Sequence, residues 1–177
     1  LRSAGITDVS IRRVSGDLTD HYDPGKKVVN LSDSVYGSTS VSAVGVAAHE
    51  CGHVIQHARG YVPITIRTAL VPIVNFASRL SMPLILIGLI LGYVGLAKIG
   101  VILFCGVLIF QLVTLPVEFD ASARAMRVLD SLGILYGEEI KGARKVLTAA
   151  ALTYVAAVVS TALQVFRLVL LINNRRD

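Results

Sequence analysis

The sequence predicts a mainly α-helical membrane protein, with a metal-binding helix, a short N-terminal β-hairpin and about three transmembrane helices. Three observations predict it. The chain of 177 residues is 54% hydrophobic, with a mean hydropathy of +0.68, too apolar for an ordinary soluble domain. Two long stretches each hold a single formal charge, Lys98 within residues 82–116 and Arg167 within residues 146–173. Between the polar start and the first of these stretches lies His49-Glu50-Cys51-Gly52-His53.

Residues 1–37 are polar, with Gly16, Pro24 and Gly25 punctuating short apolar runs. Val9 to Val14 alternates and reads as a strand. Lys27 to Leu31 reads as a second strand forming a hairpin with the first, and Asp20-His21-Tyr22-Asp23-Pro24 as a turn. An edge strand beside the histidine helix would suit an extended peptide added as a further strand.

Residues 38–80 hold the metal-binding helix and a membrane-proximal helix. Gly37-Ser38-Thr39-Ser40 supplies a loop and N-cap residues, no proline interrupts Val41 to Ala58, and Gly60 closes the helix. Residues 61–80, broken by Pro63 and Pro72 and carrying Arg67 and Arg79, read as a partly amphipathic helix near the membrane face. Residues 81–116 read as a transmembrane hairpin, with spans 81–97 and 99–115 and Lys98 at the turn. Residues 117–145 form a polar segment with a helix starting near Pro116, and residues 146–177 form a C-terminal transmembrane helix with Arg167, Arg175 and Arg176 near the far interface.

On a helix, residues four apart share a face, about 40° apart and roughly 6 Å along the axis. His49 and His53 can therefore reach one ion, with Glu50 beside the open coordination position as a base for a metal-activated water. H-E-x-x-H on a helix is the pattern of zinc peptidases. His57 is about 12 Å further along than His49 and reads as a surface or substrate-side residue. The third ligand is sought downstream, where Glu118 and Asp120 compete, Glu118 giving a His₂Glu site. Cys51 points away from the histidines, and it and Cys105 imply no disulfide framework. His21, Tyr22, His57, Tyr61 and Tyr136 are the candidates for stabilising an oxyanion.

The net charge of +5 and pI near 9.5 do not indicate nucleic acid. Arg59, Arg67, Arg79, Arg124, Arg127, Lys141, Arg144 and Lys145 flank the apolar spans and favour a cytoplasmic catalytic face. Because the chain opens on Leu1-Arg2-Ser3, further residues are expected before it, an anchoring helix among them.

Four stretches carry a family resemblance: Leu18-Thr19-Asp20-His21-Tyr22-Asp23-Pro24, Leu31-Ser32, Ala47 through Gln56, and Pro116 through Ser122. In these the chain resembles the YugP-like family of bacterial membrane zinc metallopeptidases, and more distantly the HtpX-type membrane gluzincins. The resemblance implies a four-span parent, of which this chain holds three. It implies Glu118 over Asp120 as third ligand, from an E-x-x-A-D motif in which Ser122 stands at the Asp position. In those relatives that acid orients a zinc histidine; here Ser122, Asp120 or another acid such as Asp33 is the candidate to substitute for it.

The expected function is that of a membrane-embedded zinc endopeptidase in a bacterial cell membrane, with Zn²⁺ on His49, His53 and Glu118 and Glu50 as catalytic base. Its expected partners are a peptide or membrane-protein substrate and the lipid bilayer, with no nucleic acid. An adaptor or a homo-oligomer stays open. Two other readings stand beside this one. One is a non-catalytic scaffold with a structural zinc. The other is a site-2-type intramembrane protease, whose aspartate ligand would be Asp130 in Leu129-Asp130-Ser131.

Overall fold

The computed structural model describes residues 1–174. Its elements are a 3₁₀ turn at Arg2–Ala4, strands β1 (Ser10–Arg13), β2 (His21–Asp23) and β3 (Val28–Leu31), and helices α1 (Val41–Ala58), α2 (Val62–Ile90), α3 (Val94–Ser131) and α4 (Gly137–Asn173). The mainly helical class holds, and three of these helices are long and apolar enough to cross a membrane. The chain divides into two units. One comprises Leu1–Thr65 and Pro116–Leu152, the other Ile66–Leu115 and Thr153–Asp177.

The first unit contains the sheet, in the order β1-β3-β2. The expected hairpin between β1 and β3 does not form: β1 runs parallel to β3, with Ser10 opposite Val28, and β2 pairs antiparallel on the other side, with His21 opposite Asn30. Part of the expected turn at Asp20–Pro24 is thus a strand. The reason lies in side-chain anchors. Asp20 accepts from the Ser32 amide and hydroxyl, both at 2.8 Å, clamping the start of β2 to the end of β3. The reversal comes after Asp23, whose carboxylate accepts from the amides of Gly25 and Lys26. All four residues of β3 are buried, as a central strand covered by a helix should be.

Helix α1 starts where the sequence indicates. Ser40 Oγ accepts from the Ala43 amide at 3.2 Å. It ends at Ala58 with Arg59 as its C-cap; Gly60 then takes φ +63°, and the Tyr61 amide returns to the Gln56 carbonyl. Val54 packs on Val29 and Leu31 of the sheet. The opposite side of α1, through Val41, Val44 and Ala48, packs on Leu129, Leu135 and Ala143 from the end of α3 and the start of α4. Both of its long faces are therefore committed to packing, which fixes its rotation.

In the second unit Ile85, Ala97, Val101, Leu168 and Ile172 form the core. Glycines bring α2 and α3 together: a Cβ on Gly88 would lie 2.5 Å from the Ala97 amide nitrogen, and one on Gly100 would lie 2.7 Å from the Ser81 carbonyl oxygen. Outward-facing residues are themselves apolar, Phe76, Ile102, Leu163 and Phe166 each being more than 60% exposed. Such all-round apolar helices belong in lipid.

Three boundaries differ from expectation. The hairpin turns at Leu91–Tyr93, not at Lys98, because Gly92 can take the left-handed φ of +74° that the reversal requires. Lys98 lies inside α3 and is half-buried. Residues 61–80 do not form a separate surface helix but run into α2 through Pro72 and Pro83. Pro116 likewise lies within α3 and does not open a helix. In the turns before Pro83 and Pro116, the Ser81 and Thr114 hydroxyls bond the carbonyls of Ser78 and Phe110, a local adjustment that helps apolar helices tolerate proline. Arg175 and Arg176 lie outside the described residues.

Candidate metal centre

His49, Glu50 and His53 cluster on α1, with their potential ligand atoms all within 4.8 Å of one another. Glu118 enters from α3. Its Oε2 lies 3.1 Å from His49 Nε2 and 3.6 Å from His53 Nε2, and its side chain is 2% exposed. The two imidazoles meet edge to face, with ring centroids 4.8 Å apart. Ligand atoms each about 2.1 Å from a tetrahedral ion lie roughly 3.4 Å apart. The two distances from Glu118 Oε2 bracket that value, so His49, His53 and Glu118 fit a zinc ion, with Glu50 alongside.

The approach of the two helices depends on Gly52, which faces the backbone of Ala121 one turn of α3 beyond Val117. A small residue is needed there for α3 to bring Glu118 up to the histidines.

Each histidine is gripped at its other nitrogen. His49 Nδ1 lies 3.1 Å from Ser122 Oγ, so Ser122, standing where the resemblance expects an acid, is the residue that meets this ring. His53 Nδ1 lies 3.0 Å from Gln56 Oε1. Gln56 is fully buried and donates from Nε2 to the Val117 carbonyl at 2.7 Å and to Asp120 Oδ2 at 2.8 Å. Asp120 also receives Arg124 Nε at 2.6 Å, and the Arg124 guanidinium lies over the Tyr61 ring. Sequence reasoning assigned Gln56 no role. The available signal was an amide three residues after His53, set among the buried Val54 and Ile55 on the same helix. Asp33 is elsewhere, bonded to Arg13 and the Gly16 amide.

Electrostatics shift three groups of the histidine helix. Burial pushes the Glu50 carboxyl up from the ordinary range, with Glu118 and Asp20 adding to the rise and the two histidines opposing it. Burial alone would lower His53, but the Glu118 and Glu50 carboxylates and the Gln56 acceptor outweigh it and raise its pKa. Burial also pushes the Cys51 thiol up. Cys51 lines an apolar cavity of about 330 Å³ together with Leu31, Ala47 and Leu129.

The remaining candidates are placed as follows. His21 donates Nδ1–H to the Thr19 carbonyl at 2.8 Å and accepts from Asn30 at Nε2. His57 meets Tyr22 edge to face, with ring centroids 5.5 Å apart. Tyr136 is 70% exposed. Asp130 is exposed and lies 12 residues beyond Glu118, about 18 Å along α3.

Comparison with known proteins gives the family of the chain. The family model described as "Putative neutral zinc metallopeptidase" matches residues 1–173. The chain belongs to this family. It is 47% identical over 173 residues to the "Putative membrane protease YugP" of Bacillus subtilis (strain 168), covering 98% of this chain and 77% of that protein. No solved structure matches the chain. Family membership and the three apolar helices make this a membrane protein of the zinc metallopeptidase class.

Proposed function

We propose that the chain is a multi-pass zinc endopeptidase of the bacterial cell membrane, with His49, His53 and Glu118 as metal ligands and Glu50 as catalytic base. One observation carries this reading: Glu118 Oε2 lies 3.1 and 3.6 Å from the two Nε2 atoms of the H-E-x-x-H helix, with Glu50 next to them. Bound there, zinc would supply the Lewis acid that polarises a scissile carbonyl and acidifies a water.

The protein's own residues do the rest. Glu50 takes a proton from the attacking water and returns it to the leaving amine. Its raised pKa makes it a stronger base than an exposed carboxylate, and burial keeps bulk water from competing for the proton. Glu118, itself buried, offers charge that compensates a divalent cation. The outer edge of β2, on the side away from β3, is suited to an extended peptide added as a further strand. The basic residues flanking the apolar helices support a site facing the cytoplasm. A scaffold with a purely structural zinc has no use for a buried carboxylate in the position of Glu50.

The test compares wild type with Glu50→Gln, both purified in detergent. Both should hold one zinc, and the variant should lose about 10²–10⁴-fold in cleavage of an unfolded protein substrate. Equal cleavage by the two proteins, or a wild type that holds no zinc, would overturn the reading.

A further inference from the structure

We propose that Gln56 is a positioning residue that decides which ring nitrogen of His53 carries the proton, and so which one is left to bind metal. This rests on the reading of His53 as a ligand.

The argument is one of hydrogen-bond accounting. Gln56 is 0% exposed, so its amide must find partners inside the protein. Its Nε2 faces the Val117 carbonyl and the Asp120 carboxylate. Neither group has a proton to give. Turning the amide over would set its oxygen against two other oxygens in a dry environment and leave its NH₂ facing a ring nitrogen. The amide therefore has one orientation, with Oε1 toward His53 Nδ1 at 3.0 Å. An amide oxygen only accepts. His53 Nδ1 must then hold a hydrogen, so in the neutral ring that binds metal Nε2 presents its lone pair on the side of Glu118.

His49 is governed differently. Its Nδ1 meets the Ser122 hydroxyl, which can either donate or accept and so leaves the tautomer of that ring open. The two histidines of one motif are thus unequal, and His53 is the one fixed in advance. Both acceptors that fix Gln56 flank Glu118 in Val117-Glu118-Phe119-Asp120. The segment of α3 that offers the third ligand therefore also orients the second. Asp120 uses a single oxygen for this, since Oδ2 receives both Gln56 Nε2 and Arg124 Nε.

The experiment uses the full chain in detergent, with two readouts. One is zinc affinity, by competition with a chromophoric chelator. The other is the His53 ring-nitrogen spectrum of the ¹⁵N-histidine-labelled, zinc-loaded protein. Gln56→Met keeps length without donor or acceptor, and should weaken zinc binding about 10–100-fold. It should also remove the slowly exchanging Nδ1–H signal of His53, while the His49 signals stay in place. Asp120→Asn should bind within about threefold of wild type, because an amide oxygen can replace Oδ2, whereas Asp120→Ala should lose about tenfold. Metal-free circular dichroism shows whether Gln56→Met is folded. If it is not, the Asp120 pair decides, and equal affinities in Asn and Ala would refute the proposal. So would a Gln56→Met protein with wild-type affinity and an unchanged His53 signal, or wild-type zinc bound through His53 Nδ1. A wild type that binds no zinc would instead bring down the functional reading beneath it.

Discussion

Gly52 of α1 lies so close to Ala121 of α3 that a Cβ built on it would sit 2.4 Å from the Ala121 carbonyl oxygen and 3.0 Å from its carbonyl carbon. Backbone cannot yield as a flexible side chain can, so Gly52→Ala must push the helices apart. The separation falls between His53 and Glu118, and between His49 and Ser122. We expect the variant to lose about 1–3 kcal/mol of stability from overpacking, and most of its zinc affinity. Gly45→Ala on the same helix is the control. There the new Cβ would meet Ala143 Cβ at 3.7 Å, an ordinary contact, and alanine is favoured over glycine in a helix by about 1 kcal/mol. Thermal melts and zinc content of both proteins check this. Equal behaviour of the two variants would show that the contact does not matter.

The choice of third ligand separates by substitution. Glu118→Ala removes a carboxylate 3.1 Å from His49 Nε2. It should cost more zinc affinity than the roughly 10–100-fold typical of an outlying partner. Asp130→Ala alters an exposed side chain on a distant turn of α3 and should leave affinity unchanged. Chelator competition on both proteins measures it. Loss of zinc in the Asp130 variant with retention in the Glu118 variant would replace this site by a site-2-type one.

Much of this arrangement could be read from the sequence because it is local. His49, Glu50 and His53 share a helical face by spacing alone, and Ser40 and Gly60 mark the ends of that helix by residue type. Glu118 could be set apart from Asp120 only through the resemblance, since distance from His49 along the chain says nothing about distance in space. The pairing of β2 with β3 is clamped by Asp20 on Ser32, a long-range contact that alternation of residues cannot encode, and β1 takes the other edge of β3. Gln56 was silent for the same reason, because its meaning comes from Val117 and Asp120, more than sixty residues away. Lys98 misled because a lone charge in an apolar stretch suggests a turn, whereas Gly92 had the backbone freedom to make one.

Cys51 sits between Glu50 and Gly52, yet it lines the apolar cavity on the packed side of α1. Its thiol pKa is raised, chiefly by burial. In a Cys105→Ser background it should react with a maleimide more slowly than a free cysteine at neutral pH, because less of it is thiolate. Cys51→Ser should keep full zinc content. Fast labelling at neutral pH would contradict the burial of this thiol, and loss of zinc in the serine variant would place it at the metal site.

Proton and metal should compete at His53, and the sign of the effect can be worked out. The folded-state pKa of this residue is raised, the neighbouring carboxylates outweighing burial. In metal-free protein its contribution to stability is fully present below the ordinary histidine value of about 6.5, and is lost as pH rises through the raised folded value. Zinc requires the neutral ring, so its stabilisation should grow over the same range. At a free concentration a hundred times its dissociation constant, a ligand adds about 2.7 kcal/mol. Between about pH 6 and 8 the melting temperature of metal-free protein should therefore fall, while the gap to the zinc-loaded protein widens. Melts of both forms at several pH values check this, with His53→Ala expected to flatten the metal-free trend. A gap that stayed constant with pH would mean that zinc displaces no proton from this ring.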